Sequence, residues 1–277
     1  MSTIGFVTFE SVSQFPGPPK NAGYTTELEM GISVGVVGNT DGGGTIGGYL
    51  REKSQHDRIF AVTAHHVVSQ GRVKISRSDN VQVESPAGID LEQNDLEATR
   101  AGNRIVGTVF ASSGLRTVEW DRSKCHDYSS SIPDGSELSM DWALIELNGP
   151  RLATNSSHLY PNDHITKGAL GYAIVANGTE VHKVGRITGF TDGITDGLTT
   201  ANLDKGAPSS LEMTASNLNT GFSLPGDSGA WILNEQGQVL GMIIAGIGNG
   251  LITYYTPIIL MLDDMENHTG LKLEVMP

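Results

Sequence analysis

A serine between two glycines is the residue with the clearest chemical potential in this chain. Residues 222–231 read FSLPGDSGAW, which places Ser228 in a Gly-Asp-Ser-Gly stretch. Glycine tolerates backbone angles that other residues avoid and lets another chain approach closely, so such a loop can present its hydroxyl outward. A serine hydroxyl is a poor nucleophile by itself. The loop therefore predicts chemistry only if the chain also supplies a base and a group that orients the base.

Two histidines and an aspartate stand in stretches that could complete the site. Residues 61–68 read AVTAHHVV, with His65 and His66 between apolar residues, and residues 139–147 read SMDWALIEL, with Asp141 before an apolar run. Each stretch alone also fits an ordinary core histidine or turn aspartate. Neighbouring residues on a strand face opposite ways, so only one of the two histidines could point at the serine.

The order of these residues along the chain discriminates among hydrolase folds. Asp141 follows His66 after 75 residues, and Ser228 follows after a further 87. Subtilisins run Asp, His, Ser and α/β-hydrolases run Ser, Asp, His, so both orders differ from this one. The α/β-hydrolase elbow also needs a glycine where this chain has Ala230. An esterase on another fold is therefore a weak alternative.

The elements that would position these residues are short strands. Apolar runs rich in Val, Ile and Thr and broken by glycine recur along the chain, as in RIFAVTA, WALIEL and QVLGMIIAG. Many short strands with close turn signals predict an all-β architecture of antiparallel barrels or sandwiches. Residues 257–266 predict a helix that begins with proline, residues 88–103 are a weaker helix candidate, and the polar residues 120–137 predict a surface loop.

Composition excludes several classes of function. The formal net charge of −13 disfavours nucleic acid and anionic membranes as partners. No apolar stretch reaches about 18 residues, so no membrane span is expected. Cys125 is the single cysteine, which excludes an internal disulfide, and no signal peptide is visible, so we expect a cytoplasmic protein. We expect no metal and no cofactor: GGGTIG at 42–47 lacks the following helix that nucleotide binding requires.

At these residues the chain resembles the chymotrypsin-fold (trypsin-like) serine peptidases. VTAHHVV is similar to the family's Thr-x-x-His motif, DWALIEL to its Asp-x-Ala-Leu motif and PGDSGA to its nucleophile motif. KVGRITGFTDGIT at 183–195 is similar to a stretch of the streptogrisin-like branch, and the Val-Val tail is similar to the disulfide-free, HtrA-like branch. The resemblance covers roughly residues 31–265 and would suit an intracellular fungal member.

The resemblance implies a fold of two antiparallel six-stranded β-barrels with a C-terminal helix. The expected ranges are an N-terminal extension at 1–24, a first barrel at 25–150, and a second barrel with the helix at 160–277. The segment between histidine and aspartate is about 30 residues longer than in the chymotrypsin template. We place this insertion at roughly 84–136, where it could be a lid, a partner-binding loop or neutral decoration.

The resemblance also implies roles for individual residues. Ser228 would be the nucleophile, and Asp141 would orient the histidine base. Alignment from Thr63 favours His66 as that base, with His65 as the alternative. The backbone N–H groups of Ser228 and Gly226 would form the oxyanion hole.

Substrate recognition can be inferred from four positions. Phe222 stands where trypsin-like members carry a specificity aspartate, so arginine or lysine specificity is not expected. Ile244, Ala245 and Gly246 match the family's Ser-Trp-Gly wall, and an uncharged, apolar residue on the acyl side of the scissile bond would fit.

The expected function is that of a serine endopeptidase acting on protein or peptide substrates. The alternative is a catalytically silent or latent protein-binding module with the same fold. That alternative is motivated by the lack of an activation site before the histidine: NRIVGT at 103–108 mimics one but follows His66 and reads as a strand. Activation by a freed N-terminus is therefore doubtful, although Asp227, the partner of that terminus in trypsin relatives, is present. The sequence gives no indication of oligomeric state.

Overall fold

The computed structural model describes residues 18–91, 104–119, 135–162, 164, 167–174, 176, 178–202, 210–247 and 250–277. The strands of the first half are β1 (Leu28–Glu29), β2 (Ser33–Val36), β3 (Gly44–Thr45), β4 (Gly48–Glu52), β5 (Gln55–Ala64), β6 (Gln82–Glu84), β7 (Ile105–Ser112), β8 (Arg116–Glu119), β9 (Glu137–Met140), β10 (Trp142–Leu147) and β11 (Ala153–Thr154). Those of the second half are β12 (Gly171–Tyr172), β13 (Thr179–Gly185), β14 (Gly189–Asn202), β15 (Ser210–Ser216), β16 (Trp231–Asn234), β17 (Gln238–Ile247), β18 (Ile252–Pro257) and β19 (Leu273–Val275).

Helical structure in the described residues is sparse. Helix α1 spans His65–Val68 and helix α2 spans Ile258–Thr269. Single 3₁₀ turns occur at Arg77–Asp79 and Gly88–Asp90. None of the helices in the described ranges is long and apolar enough to cross a membrane.

Two β-layers form the body of the molecule. The first is an eight-stranded sheet in the order β19-β4-β5-β10-β7-β6-β2-β3. The second has the order β12-β17-β16-β13-β14-β15-β18, and pairing between β17 and β18 closes six of these strands into a barrel. Helix α2 packs against β17 and β18. This arrangement is the chymotrypsin-like two-barrel fold and confirms the all-β prediction.

The core follows the alternation of side chains along each strand. On β5, Ala61 faces a cluster inside the first sheet, whereas the next residue, Val62, faces a larger cluster that includes Trp231 and Ile243 of the second barrel. Both β5 residues are completely buried. Because one strand contributes to both cores, the end of β5 is held rigidly at the boundary between the barrels, directly before the two histidines.

The structure departs from the sequence expectation in three places. The first sheet has eight strands rather than six, and no pairing closes it within the described residues. Strand β19, in the range expected for the second barrel, returns to pair with β4. The C-terminal helix ends at Thr269, three residues later than expected, and Gly270 terminates it with a positive φ of 74°. Residues 92–103 and 120–134, which include most of the weaker helix candidate, most of the expected surface loop and Cys125, lie outside the described residues.

Candidate active site

The ring of His66 is held by Asp141. The His66 Nδ1 and Asp141 Oδ2 atoms are 2.5 Å apart, and the His66 backbone N–H donates to Asp141 Oδ1 at 3.0 Å. The register of β10 on β5 creates this contact, because Trp142 lies opposite Ala64 and so brings Asp141 beside the first residues after β5. Burial acts to lower the pKa of His66, but the charge of Asp141 and its hydrogen bond outweigh burial, so the pKa lies above its ordinary value.

His65 has different partners. Its Nδ1 lies 2.9 Å from the Ser112 hydroxyl and its Nε2 lies 3.2 Å from the Arg72 carbonyl, and its ring is buried. Burial lowers its pKa below the ordinary value, with the charge of Asp141 acting in the opposite direction. The two histidines begin helix α1 rather than continuing a strand, so the premise that they alternate across a strand was wrong. Their side chains nevertheless point to different partners, and only the His66 ring is paired with the Asp141 carboxylate; the backbone N–H of His65 donates to the Asp141 carbonyl.

The nucleophile loop is attached to the first sheet beside these histidines. Thr45 donates its backbone N–H to the Ser228 carbonyl at 2.9 Å, and its hydroxyl donates to the Gly226 carbonyl at 2.9 Å. A methyl group at Gly229 would lie 2.6 Å from Thr63 Oγ1, so only glycine fits between the loop and the end of β5. These contacts bring the serine of the second barrel to the strand that precedes His66.

Three groups around Ser228 are left without protein partners. Across the part of the chain that the structure describes, the backbone N–H groups of Gly226 and Ser228 donate to no other protein group, and His66 Nε2 makes no hydrogen bond. No hydrogen bond joins the Ser228 hydroxyl to the His66 ring, although both residues are described. In proteases without substrate this contact is often loose.

The Asp227 carboxylate already has hydrogen-bond and ionic partners within the described residues, so it is not an unpaired charge that needs a freed N-terminus. The backbone N–H groups of Ile187, Thr188 and Leu224 donate to it, as does the Thr188 hydroxyl. Lys183 Nζ lies 3.5 Å from Asp227 Oδ2, and neither side chain is exposed at all. Burial lowers the pKa of Lys183, and the charge of Asp227 acts against that shift. The counter-charge of Asp227 is therefore an internal cation, the ammonium group of Lys183.

An open strand edge lies beside the serine. Strand β16 pairs with β17 only as far as Met242, and Ile243 bonds to the backbone of the nucleophile loop. Ile244 lies at a register shift, and from Ala245 to Ile247 β17 has its partner β18 on one side only within the described residues. An unpaired edge of this kind can accept an extended peptide as an added strand. The edge contains Ile244, Ala245 and Gly246, the three residues expected to contact substrate.

Phe222 does not line an open pocket. It is completely buried, its ring belongs to the core of the second barrel, and Lys183 Nζ lies 5.9 Å from the ring centroid. The next residue, Ser223, hydrogen-bonds through its hydroxyl to the Thr253 hydroxyl at 2.6 Å. Any influence of Phe222 on substrate choice would therefore act through the loop that follows it.

Several buried polar residues near the loop carry no motif by which the sequence could reveal them. Thr45, Asp90 and Arg186 bind each other or the loop backbone, and Lys183 pairs with the Asp227 carboxylate. One signal was available, because Lys183 interrupts an apolar strand pattern and a buried lysine needs a partner. Across the described ranges, no group of three or more His, Cys, Asp or Glu residues could hold a metal ion.

Comparisons with known proteins agree with this fold. The model for peptidase family S64 matches residues 147–275, a little less than half of the chain. A glutamic acid-specific serine protease, described as using a histidine triad in substrate binding, has a TM-score of 0.56 at 13% identity, with 90% of this chain and 100% of that chain covered. Thermobifida fusca protease A has a TM-score of 0.53 at 18% identity, with 90% and 100% covered. A Nocardiopsis protease has a TM-score of 0.51 at 20% identity, with 89% and 98% covered.

At these identities the solved structures establish the fold, and the family match adds a relation to peptidases over the half that contains Ser228. Together they support serine peptidase activity. The resemblance inferred from the motifs is thereby confirmed for the fold: the chain has the chymotrypsin-like two-barrel fold, and its residues 147–275 match peptidase family S64.

Proposed function

We propose that the protein is a serine endopeptidase that hydrolyses peptide bonds through an acyl-enzyme on Ser228. The observation that carries the proposal is the pairing of Asp141 with both the ring and the backbone of His66, beside a serine loop with two unengaged N–H groups. A base, its orienting acid and two donors for a developing oxyanion are the parts that acyl transfer requires.

Each part has one task in the proposed reaction. His66 Nε2 takes the Ser228 proton as Oγ forms a bond to the scissile carbonyl carbon, and the carbonyl oxygen becomes an anion facing the N–H groups of Gly226 and Ser228. When the carbon–nitrogen bond breaks, His66 delivers its proton to the leaving amine. Water then attacks the acyl carbon with His66 again as the base, the bond to Ser228 Oγ breaks, and the carboxylic acid product is released. Asp141 keeps the proton of the neutral ring on Nδ1, which leaves Nε2 free to accept.

The substrate is proposed to be a protein segment in extended conformation. Its acyl side would pair with the open edge of β17 at Ile244–Gly246. We also propose that the residue before the scissile bond is uncharged and apolar, because the residues of the open edge, Ile244, Ala245 and Gly246, carry no charge. Cleavage of a peptide library derived from a proteome would test this, and a profile dominated by arginine or lysine would contradict it.

A fluorophosphonate probe tests the proposed enzyme directly. The wild-type protein should become labelled on Ser228. Ser228→Ala should abolish labelling, because Ser228 is the one serine of the Gly226–Gly229 stretch that lies beside the strand leading to His66. Ser78→Ala, which removes an exposed serine hydroxyl, is the control and should leave the rate unchanged. Labelling that persists in Ser228→Ala would overturn the assignment of the nucleophile.

A second candidate is a latent or catalytically silent protein that binds other proteins through the same cleft. The missing hydrogen bond between Ser228 and His66 favours it. Absence of labelling in the wild type, together with retained binding of a peptide to the edge of β17, would support this candidate instead.

We further propose that the protein acts in the cytosol. Support comes from the single cysteine, because secreted enzymes of this size usually carry disulfides.

A further inference from the structure

A buried ion pair joins the two barrels directly beneath the nucleophile loop. Asp90, the last residue of the 3₁₀ turn Gly88–Asp90, accepts a hydrogen bond from Arg186 Nε at 2.7 Å and a second from Arg186 Nη2. The two side chains are 2% and 7% exposed. The Ser33 hydroxyl also donates to Asp90. The pair is bidentate, which fixes the orientation of the guanidinium as well as its position.

The remaining side of the Arg186 guanidinium lies against Gly226. A methyl group added at Gly226 would stand 2.6 Å from Arg186 Nη1, and the φ angle of 101° at this residue is one that other residues rarely adopt. The Arg186 backbone N–H donates to the Thr45 hydroxyl at 3.0 Å, and that hydroxyl donates to the Gly226 carbonyl. Arg186 therefore supports Gly226 both directly and through Thr45.

This support matters because few other interactions among the described residues hold the backbone of Gly226 in place. Its N–H donates to no protein group in the described part of the chain, and glycine has the greatest backbone freedom of any residue. An oxyanion donor must stand about 2.7–3.1 Å from the developing charge, so a small movement of Gly226 would weaken the interaction. A buried arginine in turn keeps its position only while its counter-charge is present.

We propose that Asp90 is a positioning residue, which locks Arg186 under Gly226 and so sets the oxyanion site of the other barrel. The inference rests on the proposed function, since it concerns the same site. It also assigns a role to part of the long segment between His66 and Asp141, because Asp90 ends the second 3₁₀ turn of that segment. A ligand or partner that moves this turn would change reactivity at Ser228 without contacting it.

Substitutions at Asp90 test the proposal. Asp90→Ala should slow fluorophosphonate labelling about 10- to 100-fold, less than the full loss of a donor. Asp90→Asn should have a smaller effect, because its amide oxygen can still accept one hydrogen bond from Arg186. The matched control is Glu52→Gln, another buried carboxylate paired with an arginine, 3.0 Å from Arg58 and at the far end of β5 from the histidines. Its labelling rate should match that of the wild type.

A double variant separates positioning from mere stability. Asp90→Leu combined with Arg186→Met removes both charges, so the melting temperature should recover relative to Asp90→Ala. If Asp90 only stabilises the fold, the labelling rate will recover with the melting temperature, and the proposal is overturned. If it positions Gly226, the rate will stay low. If Asp90→Ala does not fold, labelling rate and melting temperature are compared between Asp90→Asn and the double variant instead.

Hydrogen exchange gives a readout that does not need activity. Amide exchange at Leu224, Asp227 and Gly229, whose N–H groups are hydrogen-bonded in this loop, should be faster in Asp90→Asn than in the wild type or in Glu52→Gln. Faster exchange in Asp90→Asn, combined with a wild type that the probe does not label, would contradict the proposed function but support the positioning role. A labelled wild type with unchanged exchange and unchanged rate in Asp90→Asn and Asp90→Ala would overturn the positioning role alone.

Discussion

Replacement of Asp141 by asparagine should disable the proposed base by moving its proton. In the native protein both carboxylate oxygens accept, one from the His66 backbone N–H and one from Nδ1. Asparagine has one oxygen and one NH₂ group. Because the backbone N–H can only donate, the amide oxygen must remain on that side, and the NH₂ group then faces Nδ1. The ring must accept there and carry its proton on Nε2, where it can no longer receive the proton of Ser228.

The expected loss follows from that tautomer. The same change in the serine protease template lowers turnover about 10⁴-fold, which corresponds to roughly 5.4 kcal/mol of transition-state stabilisation. The pH dependence should change as well. The wild-type rate should rise with pH through a midpoint above 6.5, because Asp141 raises the pKa of His66 against the effect of burial. Without the carboxylate, burial alone remains and the midpoint should fall below 6.5.

The raised pKa also predicts how stability depends on pH. The folded protein binds the His66 proton more tightly than the unfolded chain does, so the stabilisation from the charged pair is fully present below about pH 6.5. It is lost as the pH rises through the higher pKa of the folded state. Urea unfolding at a series of pH values would measure this contribution as the difference between the wild type and Asp141→Asn.

The assay for activity is the rate of fluorophosphonate labelling from pH 5 to pH 9. Asp264→Asn is the control, because it alters another buried carboxylate, whose partners are Arg116 and the Trp142 indole. It should lower stability without the 10⁴-fold loss. The reasoning fails if Asp141→Asn is labelled within tenfold of the wild type, or if its midpoint does not fall.

Three further substitutions probe the residues around this pair. His65→Asn should lower the free energy of unfolding by about 1–3 kcal/mol through lost buried hydrogen bonds, yet leave labelling nearly unchanged; a 100-fold loss of rate would make His65 the base instead. Lys183→Met leaves Asp227 buried without a counter-charge and should cost about 3–5 kcal/mol in urea unfolding, so a loss below 1 kcal/mol would contradict the ion pair. Thr45→Val removes the hydrogen bond from the Thr45 hydroxyl to the Gly226 carbonyl and should slow labelling about tenfold. Thr45→Ser keeps a hydroxyl and should retain the wild-type rate. Equal rates in the two variants would contradict a role for this hydrogen bond in holding Gly226.

Local patterns were sufficient for the strands that carry the site. Short apolar runs predicted β5, β10 and β17, because the parts of a strand that are buried on both faces must be apolar along their length. The same patterns did not reveal that the first sheet recruits β19 from the end of the chain. Pairing between residues more than 200 positions apart depends on which sheet edge is open after folding, and no local pattern records that.

The choice between the two histidines also depended partly on sequence motifs and partly on tertiary contacts. Motif alignment favoured His66, but the supporting argument from strand alternation failed because α1 begins at His65. What separates the two rings is the set of partners around them: Asp141 for one, Ser112 and the Arg72 carbonyl for the other.

The chain order of histidine, aspartate and serine, the glycines around Ser228 and the strand periodicity were legible in the sequence because they are local or purely sequential. Tertiary structure alone supplied the partners of the buried charges. Lys183 pairs with Asp227, 44 positions further along the chain, and Arg186 pairs with Asp90 from the other barrel, 96 positions away. A buried charge must find a partner wherever the fold places one, because leaving it unpaired in a medium of low polarity costs several kcal/mol. That requirement joins residues that sequence separation keeps apart, and it decides how the Ser228 loop is held.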